Sequence, residues 1–136
     1  MAGGTAARNA RVRRVRVLLA LDAPHFRSLM RRRLETDSRF VIVGEASNGA
    51  EAVELAEETR PDVAVIDLTM PVMDGIETVR IMRERVPDTK TVLLAPPGAR
   101  EAAKAVRSGA YTYLEKGTAA GQILTVLAPL APPEFE

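Results

Sequence analysis

Between residues 15 and 127 the apolar residues change period in a regular order, and that alternation constrains the fold more than any other feature. The segments at 15–20, 40–43, 63–66, 91–95 and 111–114 are short β-branched or apolar runs of the kind buried strands require. After the first, Phe26, Leu29, Met30 and Leu34 are spaced to form one face of a helix. After the second, Asn48 with Glu51 three residues on makes a capping-box-like start, and Ala52, Val53 and Ala56 follow until Pro61. Ile76, Val79, Met82 and Val86 run from Gly75 to Pro87, Ala102, Ala103 and Val106 precede Gly109, and Ile123, Val126 and Leu127 mark a last short helix. Strand and helix thus alternate five times with short connections, which demands parallel strands joined by right-handed crossovers. The expected fold is α/β, a doubly wound five-stranded parallel sheet in the order 2-1-3-4-5 with helices on both faces. The run 63–66 is almost wholly apolar, as a central strand covered on both faces should be.

Composition narrows the chemistry. A chain of 136 residues fits one domain. With no cysteine, disulfide scaffolds, thiolate zinc sites and cysteine nucleophiles are excluded, and the single His25 rules out a multi-histidine metal site. Aromatic residues at 4% do not supply a stacking platform for single-stranded nucleic acid. No apolar run approaches the ~18 residues of a membrane span, and no signal-like stretch precedes the first strand, so a cytoplasmic location is expected. The net charge of +1 hides an asymmetry: Arg8, Arg11, Arg13, Arg14 and Arg16 stand in the first sixteen residues with no acid, leaving −4 over the rest. Residues 1–14 read as a flexible basic extension, 15–128 as the folded domain, and 129–136, with Pro129, Pro132 and Pro133, as the start of a Pro-rich linker.

In the order 2-1-3-4-5 the switch point lies between strands 1 and 3, so a ligand site belongs at their carboxyl ends, where Asp22 and Asp67 stand. Lys116 follows the fifth strand. Two carboxylates and an ammonium around one cavity suit Mg²⁺ with a phosphoryl group, and a carboxylate can itself be the nucleophile that forms an aspartyl-phosphate. On position alone a plainer reading stays open: Asp22 and Asp67 as helix caps and Lys116 as a solvated charge. An aspartyl-phosphate phosphatase would need a second acid two residues after the nucleophile, where Thr69 stands, so no enzyme activity is expected.

The segment DLTMPVMDG at 67–75, with VRVLLALDAPHFRSLMRRRL, VIVGEASNGAEAVELA, RPDVAVIDLTMPVMDGIET and SGAYTYLEKG, closely resembles response-regulator receiver domains, in particular those joined to LuxR/NarL-type helix-turn-helix domains. The resemblance covers about residues 15–127 and implies a flavodoxin-like fold. It implies that Asp67 is the phosphoacceptor, that Asp22, Asp67 and the Thr69 carbonyl hold Mg²⁺, that Lys116 pairs with the phosphoryl group, and that Tyr113 is the aromatic switch residue. Pro71 and Gly75 match the turn after the phosphoacceptor, and Met70 and Met73 read as packing residues.

Two positions depart from that pattern, and both are at the chemistry. Leu21 stands where the family has the first acid of the pair, and Ala95 where it has the strand-4 Thr or Ser. The first loss implies weak or absent Mg²⁺ binding, and the second removes a hydroxyl from the switch. Pro96 and Pro97 stiffen the loop that follows. The expected function is therefore an atypical receiver domain that controls an attached transcription-factor output domain, outside this chain, by dimerisation or ligand binding with little aspartyl phosphorylation. A conventional phosphoacceptor served by a histidine kinase is the alternative. Ile123, Leu124, Val126, Leu127 and Leu130 exceed what one side of a short helix needs, so part of that surface is expected to be exposed in a homodimer.

Overall fold

Side-chain alternation along the first strand, β1 (Val15–Ala20), sorts residues onto two cores. Val15, Val17 and Leu19 belong to one, Leu18 and Ala20 to the other. In the computed structural model, which describes residues 13–131, β1 is joined by β2 (Phe40–Ala46), β3 (Val63–Asp67), β4 (Lys90–Ala95) and β5 (Thr112–Glu115) in one sheet of order β2-β1-β3-β4-β5. Every pairing is parallel. The expected doubly wound fold is therefore the one observed. Helices α1 (Pro24–Glu35) and α5 (Ala119–Leu127) cover one face with Met30, Leu34, Ile123 and Leu127. Helices α2 (Gly49–Thr59), α3 (Gly75–Arg85) and α4 (Glu101–Arg107) cover the other with Ala52, Val53, Ala56, Val79, Met82 and Ala105. The five residues of β3 are all buried. No helix among the described residues is long and apolar enough to cross a membrane.

Several local expectations change. β2 continues past Gly44 to Ala46, because a register shift between Val17 and Leu18 skips Val43 and sets Gly44 opposite Leu18. Helical spacing placed Leu29 and Val106 on inner faces, yet both are exposed. In the seven-residue α4 the buried face is made by Ala102 and Ala105 instead, and Ala103 is exposed. The surplus on α5 is mostly taken up: Ile123 and Leu127 are fully buried, and Leu124, Val126 and Leu130 pack half-buried against the same core. The exposed large apolar side chains include Val106, Tyr111 and Tyr113, on and beside α4 and β5. Beyond α5, Ala128–Leu130 forms a 3-10 turn, and Leu130 and Ala131 lie against the core. Most of the expected basic extension (1–12) and of the expected linker (132–136) lies outside the described residues.

Helix starts place the loops around the site. The Asn48 side chain accepts from the Glu51 N–H at 2.9 Å, while the Glu51 carboxylate accepts from the Ser47 N–H, one residue ahead of the position a capping box uses. Asp74 caps α3 by accepting from the Glu77 N–H at 2.9 Å. Gly75 lets α3 begin directly against the strand end: a Cβ there would lie 2.6 Å from the Asp67 carbonyl oxygen and 2.7 Å from the Leu68 Cα. Those neighbours are backbone and cannot rotate away. Gly75→Ala is therefore expected to lower stability by about 1–3 kcal/mol, as overpacking does. An unchanged urea midpoint would show instead that α3 can back away from β3.

Candidate functional site

The site is built on the last residue of the central strand. Asp67 ends β3 with 0% of its surface exposed. The chain beyond it is pinned at both ends of the turn: the Leu68 N–H donates to the Leu94 carbonyl at 2.8 Å, and the Gly75 N–H to the Leu68 carbonyl at 2.9 Å. Within the turn, the Thr69 N–H donates to Asp67 Oδ1 at 3.2 Å. Lys116 enters from the end of β5, its own N–H held by the Ala95 carbonyl at 2.8 Å. Its Nζ donates to Asp67 Oδ2 at 2.7 Å and lies 5.4 Å from the centre of the Phe26 ring on α1. Asp67 thus has each carboxylate oxygen satisfied by a neighbouring donor.

Burial pushes the Asp67 carboxyl above its usual value, and the Asp22 charge adds to that push in a small way. The Lys116 ammonium and the Thr69 N–H act in the opposite sense but do not outweigh burial. Asp22 is exposed, directly after Leu21, whose backbone is tied on both sides: its N–H donates to the Ala46 carbonyl at 3.1 Å and its carbonyl accepts from Arg27 Nη1 at 2.7 Å. Helix caps do not account for either acid. The cap of α1 is Ala23, without a side-chain bond, and the cap of α3 is Asp74. Lys116 is paired rather than solvated.

Leu21 is fully buried in the core on the α1 and α5 side. Ala95 is buried at the end of β4, where its methyl group offers no hydrogen bond. Tyr113 points outward with 44% of its surface exposed. Met70 is buried and Met73 half-buried against the core, as packing residues should be. Beside the site a cavity of about 350 Å³ is lined by residues that include Thr69, Asp74, Pro96 and Ala99. Sequence reading missed Arg27 and Val72, and placed Phe26 on the apolar face of α1 without its position beside Lys116. Val72 has φ 70° and is 82% exposed, and the Met73 N–H bonds the Pro71 carbonyl across it at 2.7 Å, which makes a γ-turn of the rare, strained form. Only the preceding Pro71 hinted at a turn, and a β-branched residue is not what a left-handed φ selects.

The oxygen donors that the sequence resemblance implies for a cation are the carboxylates of Asp22, exposed, and Asp67, buried, with the Thr69 carbonyl. They suit Mg²⁺ in kind. In number they are few: among the described residues no group of three or more His, Cys, Asp or Glu is placed to hold a metal.

Residues 17–128 match the response regulator receiver domain family. The chain belongs to that family. Among curated relatives, the receiver domain is 40% identical over 105 residues to a protein-glutamate methylesterase/protein-glutamine glutaminase of Alkalilimnicola ehrlichii, covering 76% of this chain but 27% of the enzyme. It is 33% identical to the chemotaxis protein CheY of Listeria monocytogenes, covering 84% of this chain and 97% of CheY. Its fold superposes on the receiver domain of the putative response regulator NarL from Mycobacterium tuberculosis with TM-score 0.81 at 31% identity, covering 87% of this chain and 96% of that one. A LuxR-family regulator from Aurantimonas gives TM-score 0.80 at 30% identity, covering 86% of this chain and 84% of that one.

A raised carboxyl in the folded state means that ionised Asp67 destabilises the fold relative to its neutral form. That cost is absent below the unfolded value of 3.8 and is felt in full once the pH has risen through the higher folded value. Asp67→Asn is therefore expected to be more stable than the parent at pH 7, with the gap closing as the pH falls toward 3.8. Parallel chemical denaturation at pH 7 and pH 3.5 checks this, and a parent equal to or more stable than the variant at pH 7 would contradict it. Lys116→Met leaves the buried carboxylate unpaired. It should destabilise at pH 7, by less than the ~3–5 kcal/mol of a fully buried pair, because the lysine side chain is 34% exposed.

Proposed function

We propose that this receiver domain is atypical: it controls an attached transcription-factor output domain by pairing of receiver copies or by binding a small effector, with little or no aspartyl phosphorylation and no catalysis of its own. The observation that carries the reading is the composition of the pocket around Asp67. Leu21 buries its side chain in the core where the family pattern has an acid, and Ala95 offers a methyl group where that pattern has a hydroxyl. When bound, Mg²⁺ would neutralise charge on an incoming phosphoryl group, and Asp22, Asp67 and the Thr69 carbonyl would hold it. With one acid fewer, that neutralisation is weaker. Without a hydroxyl at position 95, Tyr113 has no partner to draw it inward. The LuxR-family and NarL neighbours support an output domain that binds DNA. Pairing is assigned to the α4–β5 edge, where Val106, Tyr111 and Tyr113 are exposed, rather than to α5, whose apolar residues are spent on the core.

A second reading, a conventional phosphoacceptor served by a histidine kinase, is favoured by the Asp67–Lys116 pair itself. The carboxylate is buried, oriented by the Thr69 N–H, and already carries its lysine at 2.7 Å. In that case an Asp67 oxygen attacks phosphorus, the bond from phosphorus to the donor breaks, and the donor leaves with its electron pair while Lys116 neutralises the new oxygens.

Acetyl phosphate and Mg²⁺ separate the two. Intact mass spectrometry of the treated domain is expected to show little or no adduct of about 80 Da, one phosphoryl group. The double change Leu21→Asp, Ala95→Thr should increase it, provided circular dichroism shows the fold retained. A stoichiometric adduct on the parent that disappears in Asp67→Ala would establish the conventional reading. Sedimentation of untreated domain should show a dimer that Val106→Glu with Tyr113→Glu dissociates. A monomer at high micromolar concentration, with or without phosphodonor, would refute pairing that is independent of phosphorylation.

A further inference from the structure

The cavity beside the buried carboxylate lies between the turn that follows β3 and the turn that follows β4. Its volume of about 350 Å³ is that of a small-molecule site. Leu68 and Ile76 contribute to one wall, Pro96 and Ala99 to the other, so most of the lining is apolar. Among the described lining residues Asp74 is the one ionisable group, with Thr69 as its polar neighbour. We propose that this cavity is the effector site, and that the effector is a small apolar amine. Its ammonium donates to Asp74, and its hydrocarbon part lies between the two walls. This rests on the effector-binding reading above and supplies the chemical class of the ligand.

Both walls are built before a ligand arrives. On the β3 side, the Leu68 and Gly75 N–H bonds described above hold the turn, and Met70 is buried beneath it. On the β4 side, the Ala99 N–H donates to the Pro96 carbonyl at 3.2 Å, closing a turn around Pro97 and Gly98, with Gly98 at φ 74°. Proline followed by glycine is the pair a type II turn selects, and two successive prolines restrict the chain that enters it. A ligand therefore has few loops to order on binding. Charge decides its class. Asp74 Oδ1 accepts from the Glu77 N–H at 2.9 Å, which orients the carboxylate, and among the described residues Asp74 makes no ion pair. Neighbouring charges do not supply one. Asp67 is matched by Lys116, and the exposed Glu77 and Arg100, next in sequence to Ile76 and Ala99, carry opposite signs. An anionic ligand would meet only a carboxylate of its own sign. A metal ion would find one carboxylate where Mg²⁺ or Ca²⁺ takes several oxygens. An apolar amine matches both the walls and the acid. The positive end of α3 works against a cation there, so the ion pair is expected to add modestly to affinity. The β4 turn leads into α4, so a molecule lodged between the walls fastens the start of α4, which carries Val106, to the loop after Asp67.

Titration of the isotope-labelled 136-residue chain with phenethylamine, phenethyl alcohol and hydrocinnamate, at constant pH and salt, separates charge from shape. The amine is expected to bind with a Kd of about 1 mM and to shift the amide signals of Leu68, Thr69, Ile76 and Ala99 before those of α1 and α5. It should bind about threefold tighter than the alcohol, and hydrocinnamate should bind most weakly. Asp74→Asn keeps the cap, since Asn serves there as well as Asp, and removes the charge. Its affinity for the amine should fall about threefold, to that of the alcohol, which should itself not change. Ala99→Leu narrows the cavity and should weaken amine and alcohol alike, with circular dichroism showing the fold retained. No saturable shift by about 20 mM amine overturns the proposal. So do shifts centred elsewhere, equal affinity for amine and hydrocinnamate, or an Asp74→Asn chain that binds the amine as tightly as the parent. Sedimentation of the chain without ligand reads pairing separately: a failure there overturns the function proposed above, and this site stands on its titrations.

Discussion

A carboxylate stands at the end of a strand that has no exposed residue, and the rest of the structure answers to it. β3 is covered on both faces and hydrogen-bonded along both edges, by β1 and by β4, so no water-facing side exists on which its last residue could place a charge. Burial alone pushes that carboxyl toward its neutral form. Lys116, carried to the spot by β5 two strands away, supplies the opposing charge, and the Thr69 N–H satisfies the second oxygen. A parallel sheet makes this convergence natural, since all its strands deliver their carboxyl ends to one rim.

Two apolar side chains stand at that rim, Leu21 after β1 and Ala95 at the end of β4. Each sits in a backbone tied by hydrogen bonds: the Leu21 carbonyl accepts from Arg27 and the Ala95 carbonyl from the Lys116 N–H. Arg27 holds the Leu21 carbonyl while lying 3.4 Å from the Glu45 carboxylate, so the β1–α1 turn keeps its shape without an acid at position 21.

Much of the architecture was legible because it follows from period. The unbroken apolar run before Asp67 implies a central strand, and five strand–helix alternations leave few arrangements besides 2-1-3-4-5. The convergence of Asp67 and Lys116 follows from topology, because parallel strands deliver their carboxyl ends to the same rim. What was illegible depended on choices that period does not encode. Leu29 and Val106 fit a helical stripe but face outward, because Met30 and Leu34, and Ala102 and Ala105, already fill the space beneath α1 and α4. The bulge at Val43 shifts the register of an edge strand in a way that alternation alone cannot announce. The left-handed backbone at Arg60 and Val72 is carried by residues that rarely adopt it, so no glycine or asparagine marked either turn.

Stiffness around Asp67 is unevenly shared. On the α2 and α3 side the parts are wedged together: a Cβ at Gly49 would come within 2.2 Å of Thr78 Oγ1 and 2.5 Å of the Met73 carbonyl, and Thr78 itself bonds back to the Asp74 carbonyl at 2.7 Å. On the other side, Gly98 and Gly117 have nothing within 4 Å of where a Cβ would stand, in the two loops that flank Lys116 and the exposed Pro96–Pro97 stretch. Close packing on the α2 and α3 side thus faces open space beside Gly98 and Gly117, where the backbone of the intervening loop is restricted by its own two prolines rather than by neighbours.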